Sequence, residues 1–227
     1  MAVAPDEIYT EVGRLTMATS AADNQLTILL ARLMSHRQDQ LDIGFPSIFV
    51  FSVRSIDQRF DLVRKAFLER CGAMLCQPRH ENIRRAAEFA ENAMNKAFSN
   101  IRNHRWIRND AAHGNIVQDG DETYILPAML NIEGHAKIAT RGDEYKQGIK
   151  LSHLQAATAD ARADIMALGK LGHVFWSLLE WKDDPTEFLA RADDLAHALD
   201  MKKVQLKDPR EGRPMRQRKE KRGRAKS

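Results

Sequence analysis

The residues best suited to chemistry lie between Arg108 and Gly114, in the run Arg-Asn-Asp-Ala-Ala-His-Gly. This run combines a guanidinium at Arg108, an amide at Asn109 and an imidazole at His113. A guanidinium supplies fixed hydrogen-bond donors to phosphate oxygens, and an imidazole titrates near neutral pH and transfers protons. The combination therefore indicates phosphate binding together with proton transfer.

The same run also suits a structural role at the end of a helix. Basic side chains at Arg108 and His113 would stabilise the negative end of the helix dipole. Gly114 is a natural residue for the left-handed conformation after the last turn, and Asp110 offers Arg108 a local ion-pair partner. Residue types and spacing alone favour this capping interpretation, since arginine and histidine are common near helix ends.

The run ends a helix that the spacing predicts over 79–110. One apolar face repeats every four and three residues along it and comprises Ile83, Ala87, Ala90, Met94, Ala97 and Ile101. The next positions on this face are His104 and Arg108, which the helix brings to the edge of the core. Burying an unpaired guanidinium is costly, so we expect Arg108 to have a partner, a cleft or solvent.

Hydrophobic periodicity also predicts the helices that surround this one. Their expected ranges are 6–35, 47–71, 152–181 and 185–200. Cys71 and Gly72 are expected to close the second helix of the chain, and an arginine-rich side of that helix is expected to face solvent.

After Gly114 the hydrophobic period becomes strand-like. Residues 115–118 and 123–126 flank Asp119-Gly120 and predict a hairpin, with shorter strands expected near 128–140 and 146–150. The predicted fold class is therefore mainly α, an antiparallel helical bundle with a short β-hairpin or meander insertion at about 115–150. One helical domain over 1–200 is expected.

Composition excludes several classes of protein. Hydrophobic residues make up 43% of the chain, which is enough for a sizeable core. Cys71 and Cys76 form neither a disulfide framework nor a zinc site, and the eight histidines lack metal-ligand spacing, so no metal or cofactor is predicted. The N-terminus lacks a signal core, and the longest apolar run, 43–53, is broken by Pro46 and too short to span a membrane. We expect a cytoplasmic protein without a membrane partner.

The positive charge is concentrated in residues 201–227. This segment carries 12 Lys and Arg against 3 Asp and Glu, a balance of +9, which leaves −5 on the rest of a chain whose total is +4. Its few apolar residues predict a disordered basic tail. Such a segment binds nucleic-acid backbones through counterion release, although a solubilising tail is the alternative. The candidate RNA-contacting residues of the tail are Arg216, Arg218, Lys219, Lys221, Arg222 and Arg224.

The run from Arg108 to His113 resembles the signature of the HEPN superfamily, in which an arginine and a polar residue stand a few residues before a histidine. With Gly114 it is similar to the RNxxAHG form of bacterial HEPN-like proteins. The predicted order of elements over about 6–182 is also similar. The resemblance implies a HEPN-like bundle and a homodimer in which the motifs of two subunits meet in one cleft.

Many members of this superfamily are metal-independent endoribonucleases of toxin–antitoxin, phage-defence or RNA-processing systems. The resemblance implies that His113 is a general acid or base when the ribose 2′-hydroxyl attacks the adjacent phosphate. It implies that Arg108 binds that phosphate and that Asn109 orients the site. RNA supplies its own nucleophile, so no metal is required. His104 and Arg105 are further candidates for RNA contact.

Two other functions remain open at this point. Some HEPN domains are non-catalytic, so the chain could be a helical dimerisation or nucleic-acid-binding module in which the motif is structural. A DNA-binding regulator is less well supported, because no helix-turn-helix sequence is present and a basic tail alone does not recognise a base sequence. Asn115 stands where toxins paired with nucleotidyltransferase antitoxins carry a tyrosine, so modification by such an antitoxin is in doubt and a cognate antitoxin is not identified.

Overall fold

A computed structural model describes residues 4–35, 41–76, 81–119, 122–126, 148–181 and 185–206. The described residues form six helices and three short strands, which confirms the mainly α fold class. In chain order they are α1 (Pro5–Met34), α2 (Gly44–Ser52), α3 (Ile56–Leu75), α4 (Glu81–Ala112), β1 (Asn115–Asp119), β2 (Glu122–Leu126), β3 (Ile149–Lys150), α5 (Leu151–Leu179) and α6 (Thr186–Ala198).

Helices α1 and α5 form the most extensive pair of the bundle, and α4 packs against both of them and against α3. The predicted apolar faces point inward. On α1 they include Leu15, Ala22 and Leu26, and on α4 they include Ala90 and Ala97, all fully buried. Alanines on α4 let neighbouring backbones approach closely, which is why a helix of modest hydrophobicity lies at the centre of the bundle.

Two apolar clusters hold the helices together. The larger one joins all six helices and contains a stacked Phe60–Phe98 pair with ring centroids 4.4 Å apart. Burying one such side chain contributes about 1.5–3 kcal/mol. The smaller cluster joins α1, α5, the sheet and Ala111 at the end of α4. The end of α4 that carries the motif is therefore packed on one side and open on the other.

Arg32 adds a polar link between α1 and α5. Its Nη1 donates to the carbonyl oxygen of Gly172 at 3.2 Å and lies 3.3 Å from His173 Nδ1. A Cβ at position 172 would come within 3.0 Å of the Arg32 side chain, so the absence of a side chain at Gly172 leaves space for Arg32. The lack of a side chain at Gly172 therefore allows α1 and α5 to approach closely.

The three strands form an antiparallel sheet in the order β1-β2-β3. Ile116 pairs with Ile125 across the predicted hairpin. β3 confirms the strand expected near 146–150, whereas the strand expected near 128–140 lies outside the described residues. β3 ends at Lys150 and α5 begins at Leu151, with no residue between them.

The prediction of one helix over 47–71 was wrong. Two helices, α2 and α3, occupy this region, and α3 continues through Gly72 to Leu75. The chain is extended at Val53 and Ser55, and Arg59 Nε donates to the freed carbonyl oxygen of Val53 at 2.8 Å. Cys71 is buried inside α3 and does not close it.

The described chain continues past residue 200, where the basic tail was expected to begin. Met201 and Val204 pack against the main core, and Arg85 Nη1 donates to the carbonyl oxygen of Gln205 at 3.0 Å. The rest of the predicted basic tail, from residue 207 onward, lies outside the described residues. Within the described ranges, none of the helices combines the length and the apolar character needed to cross a membrane.

Candidate functional site

The motif lies at the end of α4, as the sequence predicted. The backbone N–H of His113 donates to the carbonyl oxygen of Asn109 at 3.1 Å, so helical hydrogen bonding continues past the last helical residue. The Asn109 and His113 side chains are exposed, and their spacing of four residues places them on one side of the helix. Arg108, five residues before His113, is half-buried on a different side. No hydrogen bond or ion pair joins these three side chains, all of which the structure describes.

Gly114 has a different role from the one expected. Its φ angle is not in the left-handed region, and Gly148 is the positive-φ glycine of the described residues. A Cβ on Gly114 would overlap Ile125 Cγ2 and would lie 2.8 Å from the carbonyl oxygen of Leu126. Glycine is therefore required here because β2 packs directly against the end of α4.

Arg108 lacks the ion pair that the capping interpretation assigned to it. Arg108 and Asp110, both described, are not joined by an ion pair, because residues two apart on a helix point to different sides. Arg108 Nε is buried and has no hydrogen-bond partner within the described ranges. An unsatisfied buried donor costs about 1–3 kcal/mol, more when it is charged. The fold therefore leaves the Nε donor of Arg108 without a hydrogen bond.

Two arginines, Arg59 and Arg105, pair with Asp23 where α1, α3 and α4 meet, and Arg108 is close enough to Arg105 for its charge to affect the pKa of Arg105. We call Asp23, Arg59, Arg105 and Arg108 the arginine cluster. Arg105 Nη2 donates to Asp23 Oδ2 at 2.9 Å. Arg59 Nη1 lies 2.7 Å from Asp23 Oδ1, a charge contact that lacks the alignment of a hydrogen bond. The side chains of Asp23, Arg59 and Arg105 are each only 13–15% exposed.

The cluster is electrostatically unbalanced. Burial lowers the pKa of Arg105; Asp23 opposes this effect, and the positive charges of Arg108 and Arg59 add to it. The carboxylate of Asp23 compensates one of three guanidinium charges. Sequence reasoning missed Asp23 and assigned Arg59 to a solvated basic face, because the pairing depends on how α1 and α3 meet. The prediction that Arg105 contacts RNA remains a prediction.

His104 is in the interior rather than in an open cleft. Its side chain is buried, and its Nε2 lies 2.7 Å from Asp164 Oδ2 on α5. Asn100 Nδ2 donates to the other oxygen of Asp164 at 2.9 Å. His104 Nδ1 is also buried and has no partner in the part of the chain that the structure describes. These contacts fix α4 against α5, so the structure gives His104 a positioning role one turn before Arg108.

Other parts of the molecule offer less to a phosphate ligand. A cavity of about 330 Å³ lies between the first turns of α1 and the start of α5, and its lining includes Asp6, Glu7 and Glu11 but no motif residue. No group of described residues has the composition of a metal site. The tail residues predicted to contact RNA, from Arg216 to Arg224, lie outside the described residues.

Comparison with known proteins gives no relative. A scan against protein-family models, a search of curated proteins and a search of solved structures each find no match for this chain.

Proposed function

We propose that this chain is a HEPN-like, metal-independent endoribonuclease that uses Arg108, Asn109 and His113. The observation that supports this most directly is the state of Arg108. Arg108 is half-buried and forms no ion pair among the described residues, and Asp23, the carboxylate of the arginine cluster, is paired with Arg59 and Arg105. A guanidinium in this state gains more from binding a phosphate oxygen than one already held by a carboxylate.

The proposed reaction cleaves the phosphodiester bond without a cofactor. A base removes the proton of the ribose 2′-hydroxyl, and the 2′-oxygen then attacks the adjacent phosphorus. The bond from phosphorus to the 5′-oxygen breaks, and an acid protonates that leaving oxygen, which yields a 2′,3′-cyclic phosphate and a 5′-hydroxyl. His113 is exposed and suited to these proton transfers, while Arg108 stabilises the charge on the phosphate.

The proposal includes a homodimer. Two proton transfers use two groups, and one chain supplies a single motif histidine. Within one chain Arg108 and His113 lie on different sides of α4, so a second copy could place its own His113 opposite Arg108. We also propose a cytoplasmic role in growth control or phage defence, in keeping with the superfamily resemblance.

The test is cleavage of a labelled structured RNA with EDTA present. We expect wild type to release 2′,3′-cyclic phosphate ends, and His113→Ala and Arg108→Gln to lose about 10²-fold or more of the rate. His197→Ala is the matched control, because His197 is also exposed near the end of a helix, α6, but lies outside the motif. Cleavage that is equal in His113→Ala and His197→Ala would refute the assignment.

A non-catalytic binding module is the second candidate, and the surface of α2 favours it. This nine-residue helix has no charged residue, and Phe45, Ile48 and Phe51 are each more than half exposed. Exposed apolar patches of this kind mark interaction surfaces. A folded wild-type dimer that cleaves no RNA, and that dissociates in Ile48→Ser by light scattering, would favour this function over the nuclease.

A further inference from the structure

We infer that the Trp106 ring is a stacking surface for an unpaired base of RNA, next to the phosphate that the motif holds. This assignment rests on the proposed function, because it takes the RNA to lie at the end of α4. Trp106 is 49% exposed, so about half of a large aromatic side chain is open to solvent two turns before His113. In this role Trp106 selects the substrate and takes no part in proton transfer.

Trp106 lies on the polar side of α4. The other residues that follow this side are exposed and polar, and they are Ser99, Asn103, Asn109 and His113. Residues three, four and seven apart lie on one side of a helix, so Trp106 shares its side with Asn109 and His113. Neither apolar cluster of the described residues includes Trp106. The indole therefore lies beside the motif and outside the core of the bundle.

The other two tryptophans of the chain have structural roles. Trp176 is 3% exposed, and its Nε1 donates to Glu180 Oε2 at 2.6 Å. Trp181 packs against the larger apolar cluster, and its ring centroid lies 5.4 Å from that of Phe188. Trp106 is thus the tryptophan whose ring is placed to meet a ligand, and its fluorescence is the one that a stacked base would change.

The position of Trp106 along α4 suits a base that neighbours the cleaved phosphate. The helical rise places Trp106 about 4.5 Å before Asn109 and about 10.5 Å before His113 along the helix axis. Bases that stack on aromatic side chains are unpaired, because the bases of an A-form duplex are stacked on one another and closed to side chains. We therefore expect this protein to select single-stranded RNA or loops over duplex RNA.

The experiment measures binding without cleavage. Full-length protein is titrated with a labelled single-stranded 2′-O-methyl RNA, which lacks the attacking hydroxyl, and with the same strand in a duplex. We expect Trp106→Ala to bind the single strand at least about fivefold more weakly than wild type, and Trp106→Phe, which keeps an aromatic ring, to stay within about threefold. Tyr9→Ala is the control, because Tyr9 is an exposed aromatic residue of α1. Unlabelled single strand should quench the tryptophan fluorescence of wild type far more than that of Trp106→Phe.

The outcomes separate this inference from the proposed function. Equal RNA affinity of Trp106→Ala and Tyr9→Ala would overturn the inference, even if wild type cleaves RNA. Equal binding of single strand and duplex by wild type would overturn the selection of unpaired bases. A Trp106→Ala protein that is monomeric by light scattering where wild type is dimeric would also overturn the inference, since a second copy would then cover the ring. Binding of the single strand that depends on Trp106, without cleavage of unmodified RNA, would support stacking and refute the nuclease. If Trp106→Ala fails to fold, the quenching comparison decides, and equal quenching of wild type and Trp106→Phe would overturn the inference.

Discussion

Removing the carboxylate of Asp164 should destabilise the protein far more than removing a surface carboxylate from the same helix. Asp164 is 6% exposed, and its two oxygens bind His104 and Asn100 at 2.7 and 2.9 Å. Asp164→Ala leaves both partners without an acceptor. Each buried polar group that loses its partner costs about 1–3 kcal/mol. Because Asn100 is half-buried, we expect a total loss of about 2–4 kcal/mol in the free energy of unfolding.

Urea denaturation at pH 7 measures this loss, with the slope against urea checked for constancy. Asp160→Ala is the control, since Asp160 is exposed one turn earlier on α5 and its removal should cost no more than about 0.5 kcal/mol. His104→Ala combined with Asp164→Ala should cost less than the sum of the single changes by at least about 0.5 kcal/mol. Equal stability of Asp164→Ala and Asp160→Ala would refute the role assigned to this buried network.

Three further predictions follow from individual residues. Gly114→Ala should lower the free energy of unfolding by about 1–3 kcal/mol, because its methyl group has no room against β2. Gly13→Ala, with open space around it in α1, should instead raise the free energy of unfolding by about 0.5–1 kcal/mol. Paired urea titrations check both variants, and equal effects would contradict the close packing at Gly114. Burial raises the pKa of Cys71 to about 12, so a thiol reagent at pH 8 should modify the native chain once, at exposed Cys76. Mass spectrometry should show a second adduct only in denaturant, and two adducts on the native protein would contradict the burial of Cys71. Burial and two neighbouring arginines lower the pKa of His173 from 6.5, so the unfolded chain takes up this proton first and stability should fall as the pH drops below 6.5. In melting curves recorded over a pH series, His173→Gln should lack the loss of stability that His173 causes below pH 6.5. A pH dependence equal to that of wild type would contradict this role of His173.

Periodicity was sufficient to locate most helices. The long apolar faces of α1, α4 and α5 repeat with helical spacing because each helix buries one side against the others. The break between α2 and α3 was missed because residues 48–53 are almost continuously apolar, so no polar interval marks the end of α2. Ser55 was the available signal, since serine favours the position before a helix begins.

The position of the motif at the end of a helix was predictable, but its surroundings were not. Glycine and a change of hydrophobic period marked the end of α4 locally. The partners of His104 and Arg105 are Asp164 and Asp23, which lie 60 and 82 residues away in the chain. Such pairs are decided by how helices cross, which sequence spacing within one helix does not encode. The requirement for Gly114 likewise comes from the approach of β2 rather than from local backbone conformation.

The sheet is joined to the two helices of the buried His104–Asp164 pair by very short connections. Two residues separate α4 from β1, and β3 passes into α5 with none. Successive side chains of a helix are rotated by about 100° around its axis. Inserting one residue after Lys150 would therefore rotate Asp164 away from His104, although neither residue had been replaced. The small sheet therefore sets the rotational phase of both helices. At these two junctions the number of residues is constrained independently of their identity, and insertions or deletions there should be tolerated less well than substitutions.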